Sequence, residues 1–142
     1  MKKHLLYLLI FPLFLCCSKD ENKRNTNPFL PDYSFSIIID PDLPLYAELK
    51  TAINPVLITS ANVGVNGIFV IKISDTNFLA WEANCPNQYP SECSRMVKLN
   101  NTTAKCNCDG LEYSLLTGVG GGNYTLKPYR VEILGTTIRV YN

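Results

Sequence analysis

Alternation of apolar and polar residues with a period of two dominates the chain after residue 27. In the run Tyr33 to Ile39, every second residue is strongly apolar, as in a strand with one buried face. The run Ile68 to Ile73 is apolar on both faces, as in a central strand. No segment keeps a helical period over a useful length, and Leu43 to Lys50 predicts one helical turn only. The sequence therefore predicts a single all-β domain over residues 28–142.

Turn residues divide the apolar runs into two predicted hairpins. The first joins Ile68–Ile73 to Phe78–Glu82 through the polar residues between them, and the second joins the run from Tyr129 to the run ending at Val140 through Gly135. Four cysteines lie between the two hairpins: Cys85, Cys93, Cys106 and Cys108.

Residues 1–16 have the pattern of an export signal. Two lysines precede the apolar run Leu5 to Leu15, which is too short to span a bilayer. The run ends in a segment similar to the lipobox of bacterial lipoproteins, which implies that Cys17 is acylated and becomes the mature N-terminus. The charges that begin at Lys19 resemble the signal that sends Bacteroidetes-type lipoproteins to the outer face of the outer membrane. We therefore expect an outer-membrane lipoprotein of the cell envelope, exposed at the surface and held to the membrane by lipid; an ordinary secretory signal is the alternative.

The mature chain is close to electrically neutral. Without Lys2 and Lys3 it has 11 basic and 12 acidic side chains, a net charge of −1. No basic patch points to a nucleic-acid partner. Residues 18–27 contain no apolar side chain, and residues 17–27 are interpreted as a flexible tether.

Two short motifs carry the four cysteines. Cys85-Pro86-Asn87 follows a predicted strand, and Cys106-Asn107-Cys108-Asp109-Gly110, with Tyr113 beyond it, comes about twenty residues later. Thr117-Gly118 and the strand with Tyr129 follow. This order resembles the Rieske ferredoxin domain, in which Cys-x-His and Cys-x-x-His-Gly-x-x-aromatic hold a 2Fe-2S cluster. The resemblance spans Phe69 to Val140 and implies a small antiparallel β-sandwich or barrel with a cysteine-bearing loop subdomain.

Both histidines of the family pattern are replaced. The resemblance assigns the two cluster cysteines to Cys85 and Cys106 and the two histidine positions to Asn87 and Asp109, while the chain's single histidine is His4. In the family two imidazoles hold one iron, whereas an amide is a poor ligand for ferric iron and a carboxylate adds charge. The export signal also lacks the arginine pair of the route that carries folded proteins. We therefore expect that the cluster has been lost and that no cofactor or metal is bound.

The resemblance also implies how the cysteines pair. Some Rieske proteins of respiratory complexes carry an extra cysteine in each cluster loop, joined by a disulfide, and Cys108 matches one of these positions. Cys93 is displaced by a longer first loop. The resemblance thus implies the bridge Cys93–Cys108, and in an oxidising compartment the remaining pair, Cys85 and Cys106, is expected to form a second bridge. A zinc site is the alternative use of the four sulfurs, but their spacing is uncommon for zinc.

Three function hypotheses follow. The leading one is a disulfide-stapled binding or structural module, with an envelope protein or ligand as partner and no enzyme activity. The second is an electron-transfer protein that holds a 2Fe-2S cluster through Cys85, Cys106, Asp109 and one further cysteine. The third is a thiol–disulfide redox module in which Cys85 and Cys106 cycle.

Other residues that could suggest chemistry have simpler interpretations. The carboxylates Glu82, Glu92, Asp109 and Glu112 are interpreted as solvated loop charge, because no histidine accompanies them. Trp81, Tyr89 and Tyr113 are interpreted as core and loop packing. The glycine-rich run 118–122 predicts a mobile turn between strands.

Overall fold

The computed structural model describes residues 27–142. The predicted signal peptide, the lipidation site Cys17 and the tether up to residue 26 lie outside the described residues. Within residues 27–142, no helix has the length and apolar composition needed to cross a membrane. The described residues form nine strands and one 3-10 helix at Pro44–Lys50. The strands are β1 (Ser36–Ile39), β2 (Val56–Ile58), β3 (Ile68–Ser74), β4 (Asn77–Glu82), β5 (Val97–Lys98), β6 (Thr103–Lys105), β7 (Glu112–Ser114), β8 (Pro128–Leu134) and β9 (Thr137–Tyr141).

Six strands form one antiparallel sheet in the order β1-β9-β8-β4-β3-β2. Both predicted hairpins are present in it. In the first, Ile68 of β3 pairs with Glu82 of β4, and in the second, Leu134 of β8 pairs with Thr137 of β9. Gly135 closes the second hairpin at φ +65°, a backbone conformation that glycine adopts without strain.

The first predicted strand is shorter than the alternating pattern suggested. The run from Tyr33 to Ile39 alternates as expected, but only Ser36–Ile39 is strand, and Tyr33 is 57% exposed. The reason lies in the partner strand, because Ser36 already pairs with Tyr141, the last residue of β9. Strand structure requires a neighbour, so the residues before Ser36 remain irregular.

The three short strands form a second antiparallel sheet in the order β5-β6-β7. This small sheet follows the first hairpin in sequence, and the second hairpin follows it. Its strands flank the segments that carry the cysteines. The predicted all-β class, with a cysteine-bearing loop subdomain, is confirmed.

The buried side chains form two separate cores on the two faces of β3. Ile68 and Val70 lie in the first core with Ile39 of β1 and Val56 of β2. Because residues from both edge strands of the large sheet share this core, the sheet curls around it. Phe69 and Ile71 belong to the second core, between the large and the small sheet, whose other buried members are Trp81, Ala83, Cys85, Met96, Ala104, Cys106, Tyr113, Leu115 and Leu126. The apolar pattern on both faces of Ile68–Ile73 thus reflects two cores, one per face.

Candidate functional site

Two adjacent loops carry the four cysteines. The first cysteine loop, residues 85–93, follows β4, and its first amide, Cys85 N, donates a hydrogen bond of 2.6 Å to Ser94 O. The second cysteine loop, residues 106–111, joins β6 to β7, and Cys106 N donates to Leu111 O at 2.8 Å. Gly110 completes the tight turn at φ +75° and donates to Cys106 O at 2.9 Å. Both loops are therefore closed at their base by main-chain hydrogen bonds.

Two disulfides join the loops, one with the pairing that the resemblance implies and one between the two remaining cysteines. Cys85 is bonded to Cys106, with a Cα–Cα distance of 5.5 Å, and Cys93 is bonded to Cys108, with a Cα–Cα distance of 5.0 Å. Cys85 and Cys106 are both 0% exposed and belong to the second core, whereas Cys93 is exposed and Cys108 is half-buried. We call Cys85–Cys106 the inner disulfide and Cys93–Cys108 the outer disulfide.

Asn87, which the resemblance assigns to the first histidine position, is held by internal hydrogen bonds. Its Nδ2 donates to Tyr113 Oη at 2.8 Å and to Tyr124 O at 3.2 Å, and its Oδ1 accepts from Tyr124 N at 3.1 Å. The side chain therefore ties the first cysteine loop to the segment that precedes β8.

Asp109, which the resemblance assigns to the second histidine position, also has a structural role. Its Oδ1 accepts from Leu111 N at 2.9 Å, which forms a short turn of the kind that Asp favours. Its Oδ2 accepts from Gln88 Nε2 at 3.1 Å, so that it links the two cysteine loops. The side chains of Asn87 and Asp109 therefore both form hydrogen bonds between neighbouring loops.

The donor set does not fit a 2Fe-2S cluster in this arrangement. The sulfurs of Cys85 and Cys106 are bonded to each other, and the side chains of Asn87 and Asp109 already have protein partners. Cluster ligands are thiolates and imidazoles with free electron pairs directed at iron, and a disulfide offers neither. Residues 27–142 contain no group of three or more His, Cys, Asp or Glu side chains that could hold a metal ion.

The glycine-rich run packs against this site. A Cβ atom on Gly120 would lie 2.1 Å from Tyr113 Cδ1, and one on Gly122 would lie 2.1 Å from Asn87 Nδ2. The Gly118 position is equally restricted, since a Cβ would lie 2.8 Å from the Trp81 ring and φ is +75°. The glycines thus allow the backbone to approach buried aromatic and amide side chains closely, in addition to turning the chain.

A single methyl group on Gly120 is expected to destabilise the domain. In Gly120→Ala the new Cβ would lie 2.1 Å from Tyr113 Cδ1 and 2.5 Å from Glu112 O. We therefore expect a loss of about 3 kcal/mol in the free energy of unfolding. Gly121→Ala is the matched control, because its Cβ would meet only the flexible end of Leu111, at 3.1 Å. Denaturant unfolding measures both values. Equal losses in the two variants would contradict the packing role.

Glu82 was interpreted from the sequence as solvated loop charge, and that interpretation is wrong. Glu82 is 0% exposed at the end of β4. Its Oε2 accepts from Val65 N at 2.7 Å and from Tyr129 Oη at 2.6 Å. Its Oε1 accepts from Asn66 N at 3.0 Å and from Asn84 N at 2.8 Å. The alternation of β4 was the available signal, since it places Glu82 on the same face as buried Ala80.

The carboxylate of Glu82 indirectly supports the first cysteine loop. It fixes the backbone at Asn66, whose side chain donates to Asn84 Oδ1 at 2.6 Å and to Ser94 Oγ at 2.9 Å. Asn84 Nδ2 in turn donates to Cys85 O and to Gln88 O, both at 2.9 Å. A chain of buried and half-buried polar contacts therefore connects the large sheet to the cysteine loops.

The aromatic side chains named from the sequence take different positions. Trp81 and Tyr113 are buried in the second core, and Trp81 Nε1 donates to Leu115 O at 2.7 Å. Tyr89 is 66% exposed and packs edge-on against Phe29 at 4.9 Å between ring centroids. The segment that begins at Asn27 thus lies beside the first cysteine loop, and Asn27 Nδ2 donates to Pro86 O at 2.6 Å.

Two buried phenols make stability sensitive to alkaline pH. Burial raises the pKa of Tyr113, and burial together with the charge of Glu82 raises the pKa of Tyr129 well above its ordinary value of 10.0. The folded state therefore keeps these protons after the unfolded chain has lost them. The stability from the neutral phenols is fully present below pH about 10 and is lost as the pH rises through the higher folded-state pKa.

Thermal unfolding between pH 8 and pH 11 tests this expectation. We expect the melting temperature to fall above pH about 10 and to fall less steeply in Tyr129→Phe, which removes one of the two phenols. An identical slope in the variant would show that Tyr129 does not contribute to the alkaline loss.

Comparisons with known proteins give similarities of structure only. No family model and no curated protein matches the chain. Similar solved structures include a chain of the complex of reduced oxygenase and oxidized ferredoxin in carbazole 1,9a-dioxygenase, at 15% identity and a TM-score of 0.46, covering 78% of this chain and 94% of that one. Another is the ferredoxin of carbazole 1,9a-dioxygenase from Nocardioides aromaticivorans, at 16% identity and a TM-score of 0.42, covering 63% and 86%.

Proposed function

We propose that this chain is an envelope lipoprotein whose Rieske-like domain has lost its 2Fe-2S cluster and serves as a disulfide-stapled module that binds an envelope protein or ligand. The supporting observation is the inner disulfide, because it joins the two cysteines that the resemblance assigns to the cluster. A cysteine sulfur in a disulfide is no longer a thiolate and is therefore not available to bind iron. The proposal includes the lipid anchor at Cys17 and the absence of enzyme activity.

The arrangement of the cysteine loops suits a binding module. Two covalent bridges and the Gln88–Asp109 hydrogen bond hold the loops together, while Tyr89 and the outer disulfide face solvent. A surface whose loops are already ordered loses little conformational entropy when it binds a partner. The ordered cysteine loops thus support the proposal of a binding surface.

Electron transfer through unusual ligands is less well supported. It would require the Cys85–Cys106 bond to open and Asp109 to leave its contacts with Leu111 and Gln88. Redox cycling of Cys85 and Cys106 is also less well supported, because both are 0% exposed and a thiol in solution cannot reach their sulfurs.

Intact-mass and metal analysis of the protein purified from the envelope of its native host test the proposal. We expect a lipid-modified chain that begins at Cys17, lacks four hydrogens relative to the fully reduced polypeptide, and carries no stoichiometric iron. A Cys17→Ala variant is the control for anchoring, and it should leave the detergent phase in a phase-separation experiment. Stoichiometric iron with visible absorption, or four titratable thiols in the isolated protein, would contradict the cluster-free module.

A further inference from the structure

The two disulfides differ in their access to solvent. The inner disulfide lies in the second core, with both cysteines 0% exposed. The outer disulfide has an exposed cysteine, Cys93, and a half-buried one, Cys108. Thiol–disulfide exchange proceeds by in-line attack of a thiolate on a disulfide sulfur, so that access decides which bridge reacts in the folded protein.

We propose that the outer disulfide, Cys93–Cys108, is a thiol–disulfide exchange site that reacts with small thiols or dithiols while the inner disulfide and the fold stay intact. This inference goes beyond the proposed binding function and does not depend on the lipid anchor. It also assigns the exchange chemistry to a different pair from the one that the sequence suggested. The substrate class is a thiol reductant of the envelope.

Exposure selects Cys93 as the attacked sulfur. The incoming thiolate forms a bond to Cys93 Sγ, the Cys93–Cys108 bond breaks, and Cys108 leaves as a thiolate that takes up a proton. When the reductant is a dithiol, its second thiol then attacks the reductant sulfur that is bonded to Cys93 Sγ. This attack closes a disulfide within the reductant and releases Cys93 as a thiol. The dithiol is oxidised to a disulfide, the protein gains two electrons, and the two protons of the dithiol end on Cys93 and Cys108.

Ser91 lies where it can assist the leaving group. Its Oγ is 3.5 Å from Cys93 Sγ and 3.8 Å from Cys108 Sγ. Its backbone is held in place, because Ser91 N donates to Ser94 Oγ at 2.8 Å and Ser94 N donates to Ser91 O at 3.3 Å. A hydroxyl that donates a hydrogen bond to the departing thiolate stabilises its charge, as charge-assisted hydrogen bonds do. Ser91 thus contacts the leaving sulfur directly and acts as a catalytic residue in this exchange.

Opening the outer bridge leaves the rest of the site connected. The inner disulfide still joins the two loops, and the Gln88–Asp109 hydrogen bond of 3.1 Å lies between them. Attack on the inner bridge requires the second core to open first. Reduction under native conditions is therefore expected to stop after two electrons.

Differential alkylation of the mature protein tests the proposal. The native protein is treated with dithiothreitol, new thiols are alkylated, and the peptides are identified by mass spectrometry. We expect alkylation of Cys93 and Cys108 at a rate at least about 100-fold higher than that of Cys85 and Cys106, which react readily only in denaturant. Equal rates for all four cysteines, faster reaction of the inner pair, or no reaction without denaturant would each overturn the proposal.

Two further measurements test the roles of individual residues. With cysteamine as a monothiol probe, the mixed disulfide should form on Cys93 and leave Cys108 as the free thiol, and the reverse would overturn the assigned direction. Ser91→Ala should slow the exchange by about tenfold without changing the inner disulfide, in proportion to the loss of one hydrogen bond to a charged group. A Cys93→Ser/Cys108→Ser variant is the matched control, and dithiothreitol should produce no alkylated cysteine in it unless denaturant is added. An unchanged exchange rate in Ser91→Ala would overturn the role of the hydroxyl.

Discussion

Removal of the inner disulfide in a Cys85→Ala/Cys106→Ala variant is expected to lower the free energy of unfolding by about 4 kcal/mol, a large part of the total for a small domain. The bridge joins residues 21 positions apart, and a loop of that size accounts for about 3 kcal/mol of chain entropy. The rest comes from the loss of two buried sulfur atoms from the second core. Denaturant unfolding followed by circular dichroism measures the change.

The outer disulfide provides the matched control for this prediction. A Cys93→Ala/Cys108→Ala variant removes a bridge with a sequence separation of 15, whose cysteines are not part of the fully buried core. We therefore expect a loss of about 2 to 3 kcal/mol, from chain entropy alone. A larger loss in this variant than in the inner-disulfide variant would contradict the assigned roles.

The second large effect is expected from Glu82→Ala. The substitution leaves three backbone amides and the Tyr129 hydroxyl without their acceptor inside the protein. Buried donors without partners cost about 1 to 3 kcal/mol each, and partial access of water to the loop at Val65 and Asn66 reduces the sum. We expect a loss of about 5 kcal/mol, measured by denaturant unfolding.

Tyr129→Phe is the control for Glu82→Ala. It removes a single donor to the carboxylate and leaves three backbone amides in place, so that we expect a loss of only about 1.5 kcal/mol. If both substitutions cost the same, the backbone contacts of Glu82 would contribute nothing. The disulfide pattern should be unchanged in both variants, because none of these hydrogen bonds of Glu82 and Tyr129 involves a sulfur atom.

The extended elements could be predicted because their signals are local. The pattern of Ile68–Ile73 and the turn after it are sufficient to predict the hairpin of β3 and β4, since both the alternation and the turn residues lie within a few positions of each other. The length of β1 could not be predicted in this way. It depends on where β9 ends, and that strand lies about 100 residues further along the chain.

The cysteine site likewise has features that the sequence predicts and features that depend on distant segments. The motif spacing was enough to bring Cys85 and Cys106 together by resemblance, and the structure contains that bridge. The hydrogen bonds of Asn87 could not be foreseen, because its partners Tyr113 and Tyr124 are supplied by β7 and by the segment between β7 and β8. The burial of Glu82 was missed because a carboxylate at a strand end usually faces water, and three of its four donors come from two segments distant along the chain, Val65–Asn66 and Tyr129.

The sequence by itself determined the two hairpins of the large sheet, their turns and the absence of histidine beyond His4, because these follow from residue identity and from neighbours close along the chain. Only the tertiary structure decided which disulfide is buried and which is exposed. Exposure is a property of the packed molecule: the second core closes over Cys85 and Cys106 because β3, β4, β6 and β7 all contribute side chains to it, whereas Cys93 lies on a loop outside that core.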